Sequence, residues 1–256
     1  MLKLIWVSIL CVSVAGGQSP SQSVGAGKRS KPCATDPALQ AQIERIQKQL
    51  QDWLNFARYR DENRRLGQPT PGESRVVFIG DSITDFWGRS AGTFFTGKPY
   101  INRGIAGQTT SQVLIRFRPD VVALMPKVVV VLAGTNDIAG NTGPMTLEDI
   151  FGNIKSIAEL ARANNIKVVL GSLLPVSDAV RVQTDRRPTA KIRALNEMIR
   201  KFAAESGAVY VDYFTATSDE RGHLRTELTE DGLHPNSAGY RVMEPLAERA
   251  ISVALN

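Results

Sequence analysis

Only two histidines occur in the 256 residues, His223 and His234, so any step that needs an imidazole base must use one of them. His223 sits in the charged run Glu220-Arg221-Gly222-His223 with no acid at a local spacing suited to orient its ring, and it reads as a solvated loop residue. His234 lies in Asp231-Gly232-Leu233-His234-Pro235-Asn236-Ser237. An aspartate three residues before the histidine, a glycine for a tight turn and a proline to stiffen the exit bring a carboxylate against the imidazole Nδ1–H. Nε2 is then free to accept a proton from a hydroxyl. The alternative is that Asp231 and His234 only decorate the start of the last helix, which Asn236 or Ser237 would cap.

The hydroxyl candidate is Ser82, in Gly80-Asp81-Ser82-Ile83-Thr84 just after an apolar run. Alone, a serine there is a helix cap. Position 84 is Thr, so the G-x-S-x-G nucleophile elbow is not matched. Two further segments offer donors for a developing oxyanion: Gly104-Ile105-Ala106-Gly107-Gln108-Thr109-Thr110 through its backbone N–H groups, and Gly134-Thr135-Asn136-Asp137 through an amide side chain. Each taken singly is also a turn former.

The elements that must position these groups follow from hydropathy patterning. Short β-branched runs at 76–80, 100–104, 127–134, 167–175 and 208–214 alternate with amphipathic stretches near 110–118, 146–164, 189–205 and 237–254. Continuously apolar strands separated by helices predict a parallel sheet covered on both faces, with function at the carboxyl ends of its strands. The segments bearing Ser82, Gly107 and Asn136 each follow such a strand.

In this order, over roughly residues 74–254, Gly80-Asp81-Ser82, Gly107, Gly134-Thr135-Asn136-Asp137 and Asp231-Gly232-Leu233-His234-Pro235 resemble the four motif blocks of the SGNH, or GDSL, hydrolases. The resemblance implies Ser82 as nucleophile, His234 as base and Asp231 as its partner, with Gly107, Asn136 and the Ser82 amide forming the oxyanion hole. It also implies a flavodoxin-like three-layer α/β/α sandwich around a five-stranded parallel sheet, and a secreted esterase or acetylesterase that needs no cofactor or metal. Gln108 departs from the pattern, since many relatives carry Asp after the block-two glycine.

Composition narrows the remaining choices. With 43% hydrophobic and 22% charged residues, the chain suits one catalytic-sized domain. Two histidines and two cysteines are too few for an all-cysteine or three-histidine zinc site. Of the net charge of +6, residues 1–36 carry +3 (Lys3, Lys28, Arg29 and Lys31 against Asp36), so the rest lacks the basic face of a nucleic-acid binder.

The chain divides into a signal peptide at 1–17, a flexible linker at 18–36, an N-terminal helix at 37–67 and the hydrolase domain at 74–256. The apolar run from Leu4 to Ala15 falls short of the roughly 20 residues a bilayer requires, so a secreted or periplasmic protein without a stable membrane anchor is expected. Cys33 would then be the one remaining thiol, able to pair only between chains, and the oligomeric state stays open. Asp36-Pro37 starts the N-terminal helix, whose stripe of Leu39, Ile43, Ile46, Leu50, Trp53 and Ala57 predicts packing on its own domain rather than a coiled-coil dimer.

The expected partner is a small-molecule or carbohydrate ester, with short acyl groups preferred. Longer-chain lipase, lysophospholipase or thioesterase action, acyl transfer, and a non-catalytic binding module are the alternatives. Among the aromatics after Ser82, Phe86, Phe94, Phe95 and Tyr100 read as core, while Trp87, beside Gly88 and Arg89, reads as exposed. The stretch 177–188, with Arg181, Arg186 and Arg187, reads as a solvated loop.

Overall fold

The computed structural model describes residues 36–256. The expected leader and, except for Asp36, the expected linker lie outside the described residues. The chain divides after Gln51 into two units. In the first, helix α1 (Pro37–Gln51) begins as its sequence dictates: the Asp36 carboxylate accepts the Ala38 amide at 2.9 Å and Pro37 occupies the first helical position. Its stripe residues Leu39, Ile43 and Ile46 are exposed.

Residues 37–67 form two helices rather than one. The α-helix stops at Gln51 and a second, α2 (Arg60–Leu66), begins nine residues later. Between them the Asp52 carboxylate takes the Phe56 amide at 3.0 Å, and Asn55 adopts φ 52°, which no helix continues through.

The second unit is built on strands β1 (Val76–Gly80), β2 (Tyr100–Gly104), β3 (Val128–Leu132), β4 (Lys167–Gly171) and β5 (Val209–Val211). They form one all-parallel sheet in the order β2-β1-β3-β4-β5. Alternate side chains go to opposite faces, and both faces are covered. Val77, Ile79, Val129 and Val131 pack with helices α4 (Thr110–Asp120), α6 (Leu147–Ala163) and α7 (Thr189–Ser206). Val76, Phe78, Val128 and Val130 pack with α9 (Ser237–Leu255) and a set of aromatic rings. Short helices α3 (Ser82–Phe86), α5 (Thr135–Ile138) and α8 (Tyr213–Thr217) follow β1, β3 and β5. Each buried aliphatic side chain contributes about 1.5–3 kcal/mol, which is why the strands read as unbroken apolar runs. This is the three-layer α/β/α sandwich with a five-stranded parallel sheet expected from the resemblance.

Trp87 corrects one expectation. It is 2% exposed, stacked on Tyr240 at 5.0 Å between centroids and set among Phe78, Phe94 and Phe95. Gly88, at φ 78°, turns the chain so tightly against Phe94 that the preceding ring is carried inward to fill the sheet face, while Arg89 turns outward to Asp85.

The topology has one functional consequence. The chain leaves β1 toward β2 on one side and reaches β3 on the other, so the carboxyl ends of β1, β2 and β3 border the crevice where strand order reverses. Among the described residues, no helix is long and apolar enough to cross a membrane.

Candidate active site

Ser82 opens α3 directly at the end of β1. The turn is tight because Gly80 permits it: a Cβ there would lie 2.1 Å from the Leu132 carbonyl oxygen. Asp81 caps the helix by accepting the Ile83 amide at 2.9 Å. The Asp81 carboxyl is wholly buried, and that burial, with Asp137 nearby, pushes it up to about 7 against the opposing pull of the Ile83 amide, Arg187 and Arg116.

His234 arrives from the loop before α9, and its Nε2 lies 2.9 Å from Ser82 Oγ. Its Nδ1 lies 2.6 Å from Asp231 Oδ2. The other Asp231 oxygen accepts the Leu233 and His234 amides at 2.9 and 2.8 Å. Burial alone would raise this carboxyl, but the His234 amide and ring and the Leu233 amide outweigh it and hold Asp231 below the usual carboxylate range. An ionised carboxylate only accepts, so Nδ1 carries the proton and Nε2 offers its lone pair to the Ser82 hydroxyl. Gly232 makes the loop possible. Its φ is 78° and a Cβ would fall 2.1 Å from the Ser177 carbonyl oxygen, while the Ser177 amide donates to Gly232 O at 2.8 Å. Asn236 caps α9 through the Ala238 and Gly239 amides, as the sequence suggested. Phe86 lies 5.0 Å from the His234 ring.

Gly107 follows β2 with φ 80° and is exposed. Among the described residues neither its amide nor that of Ser82 has an acceptor. Asn136 in α5 is buried, and its Nδ2 donates to Gln108 O at 3.0 Å. An amide nitrogen has two hydrogens, so one remains for a substrate oxygen. The four blocks therefore converge at the strand ends. His223 pairs with none of them: its amide donates to Asp219 within its own loop.

Several supporting contacts escaped the sequence reading. Gln108 is buried, donating through Nε2 to Leu54 O at 2.8 Å and accepting from Arg116 Nε. Arg116 also donates to the carbonyl of Gly80 at 2.9 Å. The Gln112 side chain donates to Trp53 O, and the Tyr59 hydroxyl donates to Gly104 O. The segment just before α2 thus holds both ends of the Gly107 loop. Arg187, expected in a solvated loop, is 5% exposed, whereas Arg181 and Arg186 are exposed. An arginine between Arg186 and Pro188 gives no sequence signal of burial. Gln108 was the one visible signal, as a departure from the family pattern.

Among the described residues no group of three or more histidine, cysteine, aspartate or glutamate side chains could hold a metal ion.

The sequence model of the GDSL-like lipase/acylhydrolase family matches residues 78–242. A solved structure from Bacteroides fragilis NCTC 9343, provisionally designated an acylhydrolase, is 43% identical, with a TM-score of 0.75 over 80% of this chain and 99% of that one. A GDSL-like lipase from Bacteroides thetaiotaomicron VPI-5482 is 44% identical, with a TM-score of 0.73 over 79% and 100% of the two chains. Among curated proteins, an N-acylneuraminate cytidylyltransferase of Escherichia coli O18:K1:H7 is 28% identical over 174 residues. That match takes in 67% of this chain but only 39% of the length of the relative.

Proposed function

The chain belongs to the GDSL-like lipase/acylhydrolase family, and on that premise we propose that it is a serine carboxylester hydrolase working by two-step acyl transfer through Ser82. The observation that carries this reading is the chain of contacts from Ser82 Oγ to His234 Nε2 at 2.9 Å and from His234 Nδ1 to Asp231 at 2.6 Å.

In the first step Ser82 Oγ attacks the ester carbonyl carbon while its proton passes to His234 Nε2. The carbonyl oxygen becomes an oxyanion facing the Ser82 and Gly107 amides and the free N–H of Asn136. Collapse breaks the bond to the leaving oxygen, which takes the proton from His234. Water then attacks the acyl-serine, His234 accepting the water proton and returning it to Ser82 Oγ as the acid departs. Asp231 stays ionised throughout and stabilises the imidazolium in each step.

Short acyl groups are the proposed substrates. A long chain needs buried apolar surface at about 25 cal/mol per Å². Of the aromatics after Ser82, Trp87 and Phe95 are 2% and 3% exposed and belong to the core, which leaves half-buried Phe86, 5.0 Å from the His234 ring, as a single ring beside the triad and too little apolar surface for a long chain. An O-acetylated carbohydrate outside the cell is the natural ester we favour, supported by the leader-like pattern of residues 1–17.

The test is kcat/KM for p-nitrophenyl esters of increasing chain length, with Ser82→Ala as control, followed by acetate release from acetylated xylan. A maximum at acetyl to butyryl supports the reading. A maximum at about eight carbons or longer favours lipase or lysophospholipase action, and full activity in the Ser82 variant overturns the mechanism.

A further inference from the structure

Arg187 lies in the connection between β4 and α7, buried against the crevice wall. Each part of its guanidinium has a distinct partner. Nε donates to Thr135 Oγ1 at 3.2 Å, Nη1 to Gln183 Oε1 at 3.3 Å and Nη2 to Asn136 Oδ1 at 3.3 Å. Gln183 in turn donates through Nε2 to the Asp231 carbonyl at 3.0 Å. One buried fork therefore joins the helix that carries Asn136 to the loop that carries Asp231 and His234.

We propose that Arg187 is a positioning residue for the oxyanion hole, fixing the orientation of the Asn136 amide. The inference rests on the reading of Asn136 as an oxyanion donor. A carboxamide has nearly the same shape in its two flipped orientations, and only its neighbours choose between them. Here Oδ1 faces a guanidinium, which can only donate, and Nδ2 faces the Gln108 carbonyl, which can only accept. Flipping the amide would set donor against donor and acceptor against acceptor. The orientation that keeps an N–H free for the substrate oxygen is the one both neighbours enforce. Removing Arg187 leaves the Gln108 carbonyl as the single constraint and frees the amide to swing. A lysine offers one point charge and not a planar fork, so it cannot hold Thr135, Gln183 and Asn136 together.

The experiment is a double-mutant cycle between Arg187→Gln and Asn136→Ala, read with p-nitrophenyl acetate on the full chain, with circular dichroism confirming the fold. Arg187→Gln is expected to lower kcat by about 10- to 100-fold, less than the loss of the oxyanion donor itself because Asn136 remains, with KM changed by less than about threefold. In the Asn136→Ala background the same change should cost less than about threefold, because its target is gone. If the Gln variant does not fold, Arg187→Lys replaces it in the same cycle. An equal cost in both backgrounds, a loss confined to KM, or no loss at all overturns the role. Activity surviving Ser82→Ala would overturn instead the reading beneath it, so the two failures are separate.

Discussion

The carboxylate of Asp137 accepts the Thr110 amide at 3.0 Å from each of its two oxygens, and accepts the Thr110 hydroxyl as well. The residue after Asn136 thus fastens the helix that follows the Gly107 loop, and two donors from different strands become one rigid unit. Removing the carboxylate leaves the buried Thr110 N–H without an acceptor and the Thr110 hydroxyl with only the Asn153 amide donating to it, at about 1–3 kcal/mol for an unsatisfied buried group. Asp137→Ala is expected to lower the unfolding free energy by that order and to reduce kcat more than KM. Unfolding in urea alongside steady-state kinetics checks both, and a variant with undiminished kcat would separate Asp137 from the oxyanion hole.

Ser82→Ala and His234→Ala should each remove nearly all ester hydrolysis in folded protein, since nucleophile and base act as a unit. His223→Ala should change kcat/KM by less than about twofold, as befits a residue that is hydrogen-bonded through its backbone to Asp219 and to none of Ser82, Asp231, Gly107 and Asn136. Comparable losses at the two histidines would displace His234 as the base.

Asn136→Ala is expected to lower kcat by about 10²–10³ with little change in KM, because its free N–H meets the oxygen only as charge develops. A change in KM alone would make Asn136 a contact to the bound ester.

Asp81 gives the fold a pH dependence. Burial raises its carboxyl to about 7 in the native state, whereas in the unfolded chain it titrates near its ordinary value of about 3.9. Below pH 4 both states are protonated. Between about 4 and 7 the native state keeps a proton that the unfolded chain has lost, so this residue's contribution to stability falls as pH rises, and the fall is complete above 7. Asp81→Asn keeps an acceptor for the Ile83 amide and cannot ionise. Its Tm relative to the parent protein should therefore climb from pH 4 to pH 7 and then level off. A difference independent of pH would show that Asp81 ionises normally in the folded chain.

How much of this was readable beforehand depends on whether the cause was local. The strands announce themselves because both of their faces are buried, which forces runs such as Val76–Ile79 and Val128–Leu132. The Asp231–His234 pairing is legible because its key contacts, the Leu233 and His234 amides on one Asp231 oxygen and the imidazole on the other, fall within four residues. Trp87 is decided by Tyr240, some 150 residues away, and its neighbours Gly88 and Arg89 point the other way. Arg187 is equally non-local: its partners Thr135 and Asn136 come from a different strand end. The break near Asn55 was hidden because the apolar spacing runs through it unchanged, while one aspartate side chain competes for the helical hydrogen bonds.

Both glutamines beside the Gly107 loop reach main-chain oxygens of Trp53 and Leu54, not their side chains. Such a clasp is indifferent to what residues 53 and 54 are, so mutation can drift there freely while Gln108 and Gln112 stay fixed. Homologues would then look unrelated upstream and still be fastened in the same way, with the dependence recorded only at its receiving end. A polypeptide trimmed to start at residue 74 would keep all four motif blocks and yet strand two side-chain amides and the carbonyl of Gly104, which Tyr59 otherwise serves. The span defined by family likeness, residues 78–242, is thus shorter than the span whose contacts hold the loops at the strand ends.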